Sequence, residues 1–183
     1  MQVLAVNGFE SNDETPLVAR AVKMLAERGH GVDRLDLAAA GFDAFMTPEE
    51  RAAYHSDDPL ITPEAAAAAD LVRSAAGIVI VYPIVHGTGP PRVKSFIERV
   101  FVLGVGFEFL PSGRITGALD HVKRACVLGV SDGKPNRARR NDFGPCLARS
   151  FYLSSNRSCK TRYVGVTNDK TGAEQIDKQL SSW

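Results

Sequence analysis

Two kinds of apolar pattern alternate along this chain: short uninterrupted runs, and stripes recurring every three or four residues. Val3-Leu4-Ala5-Val6 is a run of the first kind, the mark of a strand buried on both faces. After a polar stretch at residues 7–14, Leu17, Val18, Ala21, Val22 and Leu25 follow helical spacing. Thr15 is placed to cap that helix, Pro16 suits its first position, and Gly29 ends it. Residues 32–37 predict a second strand, with Leu35 and Leu37 alternating against Arg34 and Asp36. Thr47-Pro48-Glu49-Glu50 joins an N-cap, a proline and a capping-box glutamate, and so opens a short helix through Tyr54. Thr62-Pro63 repeats the device before an alanine-rich helix at 64–75. Residues 78–82 predict a third strand, and Pro90-Pro91 start a helix carrying Val93, Phe96, Ile97, Val100 and Phe101 on one face. A fourth strand is expected at 125–130, a short fifth at 163–166, and a last helix capped by Thr171. Strands alternating with helices predict a parallel sheet covered on both faces. The expected strand order is 2-1-3-4-5, with ligands bound outside the carboxyl ends of strands 1, 3 and 4.

Size and charge narrow the picture without changing it. At 183 residues the chain suits one domain, 1–183, able to bury about 70% of its unfolded surface. The net charge of +1 makes no case for a nucleic-acid partner or for membrane attraction. The longest apolar run falls well short of the ~20 residues needed to cross a bilayer, so no membrane insertion is expected. Cys126, Cys146 and Cys159 are widely spaced and belong to no Cys-x-x-Cys pair or His cluster. They read as reduced thiols of a cytoplasmic protein with no metal site. The first residues read as a strand, not as a signal peptide.

Three loops are placed to carry chemistry. The first, 7–15, leads into a helix N-terminus, whose N–H groups and dipole favour phosphate. Asn7, Ser11, Asn12 and Thr15 are its polar candidates. Glu10, Asp13 and Glu14 pull the other way: a carboxylate ~4 Å from a phosphate costs roughly 1 kcal/mol in water-like surroundings and about 4 at a dielectric near 20. The same acids also suit a helix N-terminus with no ligand at all. The second loop, Pro83-Ile84-Val85-His86-Gly87-Thr88-Gly89, has glycines that let backbone approach a flat ligand. The third is Ser131-Asp132-Gly133 after the fourth strand. Lys134, Arg137, Arg139 and Arg140 follow it, and read either as an anion-recognising run or as a solvated loop.

The segment from Tyr82-Pro83 through Pro90, Lys94, Phe96, Ile97, Glu98, Arg99, Val100 and Phe101 resembles the NAD(P)H:quinone oxidoreductases of the DT-diaphorase and drug-activity-modulator group. Met46 to Tyr54, Pro59, and Phe107 and Phe109 after Gly104 and Gly106 extend the resemblance over most of the chain. It implies a flavodoxin-like fold, FMN or FAD as cofactor, NAD(P)H as co-substrate, and quinones or related aromatic acceptors reduced in a ping-pong cycle. It also implies a homodimer whose active sites are each completed by the partner chain. The family's His near the end of strand 1 is replaced by Asn7, or by a neighbour one position away. Its paired loop aromatics are replaced by Val85 and His86, and nothing at 134–144 matches its Tyr and His. Ser131 and Gly133 fit its Thr/Gly-rich loop, where Asp132 is unusual. Histidines exchange protons near neutral pH, so His86 is the candidate catalytic proton donor. The alternative reading is a flavodoxin-like protein that has lost flavin, serving as a non-redox enzyme on an aromatic or polycyclic metabolite or as an ancillary binding subunit.

Overall fold

The computed structural model describes residues 1–10, 16–42, 45–133 and 142–183. Along them run β1 (Gln2–Asn7), α1 (Pro16–Glu27), β2 (Gly31–Asp36), α2 (Pro48–Ala53), α3 (Pro63–Ser74), β3 (Gly77–Pro83) and α4 (Pro91–Val100). Then come β4 (Phe107–Phe109), β5 (Ile115–Gly117), β6 (Arg124–Ser131), α5 (Phe143–Ser154), β7 (Lys160–Thr167) and α6 (Lys170–Leu180). Five strands form a parallel sheet in the order β2-β1-β3-β6-β7, which is the expected 2-1-3-4-5 arrangement.

The uninterrupted apolar runs are explained by what covers each face. Along β3, Ile78, Ile80 and Tyr82 point into one core with Val93, Phe96 and Val100 of α4 and Leu147 and Phe151 of α5. Val79 and Val81 point the other way, to Leu17, Val18, Ala21 and Leu25 of α1 and Ile176 and Leu180 of α6. A strand with helices on both faces has no polar side to show.

Some local expectations hold and others are corrected. Thr47 caps α2 as a full capping box, with Glu50 N–H donating to Thr47 Oγ1 at 3.1 Å and Thr47 N–H to Glu50 Oε2 at 2.8 Å. Thr62 makes no such cap. Its hydroxyl instead accepts from Arg99 Nη2 at 3.2 Å inside a buried ion network. The cap of α6 is Asp169, which accepts from Gly172 N–H at 3.0 Å, and Thr171 lies within the helix. Gly29 does end α1, at φ +76°. The β4–β5 hairpin and α5 are additions to the expected elements, and β7 is longer than expected. Thr15, the expected cap of α1, lies outside the described residues. No helix among the described residues is long and apolar enough to cross a membrane.

The buried thiols lead to a pH prediction. Burial pushes Cys126 up to about 12 and Cys159 up to about 11 from the ordinary 9.0, against small opposing effects of Arg162 and Lys123. Below pH 9 folded and unfolded chains both keep these protons. Above it the unfolded chain releases them first, so stability falls by up to ~1.4 kcal/mol per pH unit for each thiol, between about pH 9 and 12 for Cys126 and about pH 9 and 11 for Cys159. Thermal unfolding midpoints measured across that window are expected to drop steadily. A flat profile would contradict the burial of both thiols.

Candidate functional site

The carboxyl ends of β1, β3 and β6 lie side by side and carry the three expected loops away from one edge of the sheet. At the end of β1, Gly8 N–H donates to Val81 O at 2.8 Å and keeps the chain alongside β3. A Cβ on Gly8 would stand 2.6 Å from Val93 Cγ2 and 2.8 Å from Tyr82 Cβ, so this loop rests directly on the first turn of α4. Arg92 fastens it there, donating from Nη1 to the carbonyls of Phe9 and Glu10 at 3.1 and 3.2 Å. Nothing in the local sequence marks this clamp, because the two ends are 83 residues apart.

Asn7 does not face outward as expected of a ligand contact. Its side chain is fully buried, donating from Nδ2 to Asp36 at 2.8 Å and accepting from Phe9 N–H at 3.1 Å. Asp36 in turn accepts from Ala38 N–H at 3.1 Å. Asn7 therefore ties the ends of β1 and β2 together and shapes the first loop. Ser11, Asn12, Asp13, Glu14 and Thr15, and the basic run from Lys134 to Arg140, lie outside the described residues.

The second loop is a tight hairpin. Val85 N–H donates to Thr88 O at 2.9 Å and Thr88 N–H to Val85 O at 3.0 Å. His86 and Gly87 between them sit at φ +49° and +78°, the signature of a type I′ turn. Ile84 N–H is used on Val130 O, at 2.6 Å. Proline supplies no donor, so the N–H groups of His86, Gly87 and Gly89 are left without a partner among the described residues. The two glycines differ in role. Gly87 has open space around it and serves the left-handed turn, whereas a Cβ on Gly89 would meet the Phe143 ring at 2.1 Å. Val85 and His86 are both exposed at the tip.

The third loop is closed by one of its own hydroxyls and by Asn168 after β7. Ser131 Oγ donates to Gly133 O at 2.5 Å, and Asn168 Nδ2 donates to Asp132 Oδ1 at 3.2 Å. The Asp132 carboxylate is thereby drawn toward the β7 end.

Beneath these loops is a floor that sequence reasoning missed. Tyr163 of β7 packs in the same core as Tyr82, and burial pushes both phenols up. The Tyr163 ring lies where a Cβ on Gly144 would be only 2.0 Å away, and its hydroxyl 2.9 Å from one on Gly129. Phe143 meets Tyr82 edge-on, with centroids 5.5 Å apart. The sequence signal was Gly144 itself, a helix-disfavouring residue in the first turn of α5 that makes room for an aromatic ring.

A family model described as a flavodoxin-like fold matches residues 1–177. A comparison with curated proteins finds no significant match. Among solved structures, Smu.1420 from Streptococcus mutans UA159 is 20% identical, with a TM-score of 0.72 over 100% of this chain and 97% of the other. An FMN-dependent NADH-azoreductase from Bacillus anthracis, solved with FMN, is 13% identical, with a TM-score of 0.75 over 99% and 98%. An NAD(P)H:quinone oxidoreductase from Methanothermobacter marburgensis is 17% identical, with a TM-score of 0.71 over 100% and 96%. At these identities the likeness is one of fold. The family match over nearly the whole chain goes further, and with the 2-1-3-4-5 sheet it shows that the chain belongs to the flavodoxin-like fold family to which its Tyr82-to-Phe101 segment pointed.

Proposed function

We propose that this protein is a flavin-dependent NAD(P)H oxidoreductase that reduces quinones or related aromatic acceptors such as azo compounds, with FMN as the favoured flavin. The observation that carries this reading is the type I′ hairpin after β3. It leaves three N–H donors without a partner among the described residues, beside an apolar Val85, at the sheet edge where this fold family binds flat ligands. The names of structures sharing the fold, azoreductase and quinone oxidoreductase, support the reaction class.

The residues present fit a flavin ring. Neutral backbone donors at His86, Gly87 and Gly89 suit its carbonyl oxygens and ring nitrogens, and no carboxylate of the hairpin opposes them. Ser131 and Gly133 would bound the ring from β6, with Asp132 held off by Asn168. Ser11, Asn12 and Thr15 are the proposed phosphate contacts, carried by the loop that Arg92 anchors. Bound there, the flavin supplies a two-electron redox centre. Val85 supplies an apolar surface for nicotinamide and acceptor in turn, which gives a ping-pong order. His86 donates a proton to the acceptor as it is reduced.

His86→Asn keeps the turn, since asparagine tolerates the left-handed region, but removes the ionisable ring. Its turnover of a quinone is expected to fall about tenfold or more. Steady-state oxidation of NADH and NADPH with a quinone and an azo dye, in the presence of FMN, tests the reading itself. Parallel reciprocal plots are expected. Absence of acceptor-dependent oxidation with either nucleotide overturns it.

We further propose a homodimer. Phe109 (44% exposed) of β4 pairs with Ile115 (64% exposed) of β5, and Leu110 and Leu153 are exposed beside Ile115. Ile115→Lys is expected to shift the particle mass in solution from twice 19.7 kDa toward 19.7 kDa. A wild-type monomer at working concentration contradicts this.

A further inference from the structure

The amino edge of the sheet, opposite the candidate site, carries a cavity of about 240 Å³. Its walls include Arg124 and Cys126 of β6, Lys160 and Arg162 of β7, and Gln179 and Trp183 at the end of α6. Three of these six side chains are cationic, in a chain whose net charge is only +1. The sheet register brings the cations together, because Arg124 pairs with Lys160, and Cys126 with Arg162, across the β6–β7 ladder. Neighbouring strands lie ~4.8 Å apart and successive same-face residues ~6.6 Å apart. Like charges set side by side on one sheet face repel. Among the described residues no carboxylate forms an ion pair with any of the three.

Arg124 donates from Nη1 to the Ser182 carbonyl, and Arg162 donates from Nη1 to Gln179 Oε1 at 2.7 Å. These neutral acceptors, with the negative end of the α6 dipole, orient the two guanidiniums. Each guanidinium keeps further N–H donors beyond the one used there. The Lys160 side chain has no partner among the described residues. The volume is several times the ~30 Å³ share of one water molecule, which is room for a phosphate and a small organic group.

We propose that this cavity binds a phosphate group, free or as a monoester, with Arg124, Lys160 and Arg162 as its cationic donors and the Trp183 ring as its apolar wall. Guanidinium pairs match phosphate oxygens in a fork, and an ammonium adds a point charge. The site is independent of the flavin reading, since it lies at the other end of the strands.

Trp183 is the one tryptophan of the chain, so its fluorescence reports on this cavity and not on the opposite edge. The experiment titrates the purified protein with inorganic phosphate, and separately with a nucleoside monophosphate, at ionic strength held constant with chloride. A saturable change in Trp183 fluorescence is expected. Binding should weaken about tenfold or more in Lys160→Gln and again in Arg162→Gln. Thermal midpoints recorded without phosphate show that both variants are folded. Tighter binding of the nucleotide assigns the monoester as ligand, and equal binding assigns free phosphate. A response that does not saturate, that chloride alone reproduces, or that both variants retain unchanged overturns the proposal.

Discussion

Arg99→Met is expected to cost about 3–5 kcal/mol of folding stability. Arg99 and Glu50 are both about 4% exposed, and Arg99 Nε donates to Glu50 Oε1 at 2.7 Å. Arg99 Nη2 donates to Glu64 Oε1 at 2.6 Å and to the Thr62 hydroxyl, and the guanidinium stacks 5.4 Å above the Phe42 ring. One side chain of α4 thus joins α2, α3 and the segment after β2. The Glu64 backbone N–H and Arg99 together hold the Glu64 carboxyl below the usual range. Glu64 reaches solvent and can turn away when Arg99 is lost, whereas Glu50 cannot. The penalty is therefore the uncompensated buried carboxylate. Arg99→Met combined with Glu50→Gln should recover a substantial part of the loss in a double-mutant cycle by denaturant unfolding. Equal losses in the single and double variants would show that the ion pair is not the source.

Gly8→Ala is expected to weaken FMN binding about 100-fold while costing roughly 1–3 kcal/mol of stability. The new Cβ meets two atoms that cannot swing aside, Val93 Cγ2 on a β-branched residue and Tyr82 Cβ next to the backbone. The first loop must lift off α4, which displaces the carbonyls that Arg92 holds. The loop that carries the proposed phosphate contacts then moves relative to the hairpin that carries the ring contacts. A flavin spanning both loses one end of its site. Flavin fluorescence quenching gives the affinity and calorimetry gives the stability. Wild-type affinity in a destabilised variant would separate this loop from the flavin site.

The sheet is legible because Val3 to Val6 and Ile78 to Tyr82 are buried from both sides, and an unbroken apolar run says so directly. The elements that escape sequence reasoning do so for local physical reasons. In α5, Gly144 and Pro145 look like breakers, yet proline suits a first turn and Gly144 makes room for Tyr163. In β7, Lys160 and Arg162 look like loop residues because an edge strand is only half covered. The hairpin strands β4 and β5 are three residues each, too short for alternation to show.

The candidate site divides the same way. Its three loops are marked by glycine and proline at strand ends, and Val85-His86-Gly87-Thr88 has the length and the glycine of a two-residue turn. What Asn7 does depends on Asp36 across the sheet, 29 positions away, and no local pattern reports it. Arg92 and Tyr163 likewise act on residues distant in sequence. Loop positions can be read from punctuation, but inward or outward direction depends on tertiary partners.

The most direct test is the visible spectrum of the purified protein after adding FMN or FAD and removing the excess, recorded before and after NAD(P)H without oxygen. A retained flavin spectrum that bleaches with the nucleotide is the predicted result. A colourless protein that keeps neither flavin would contradict the account and leave the loops around His86 to a ligand of another kind.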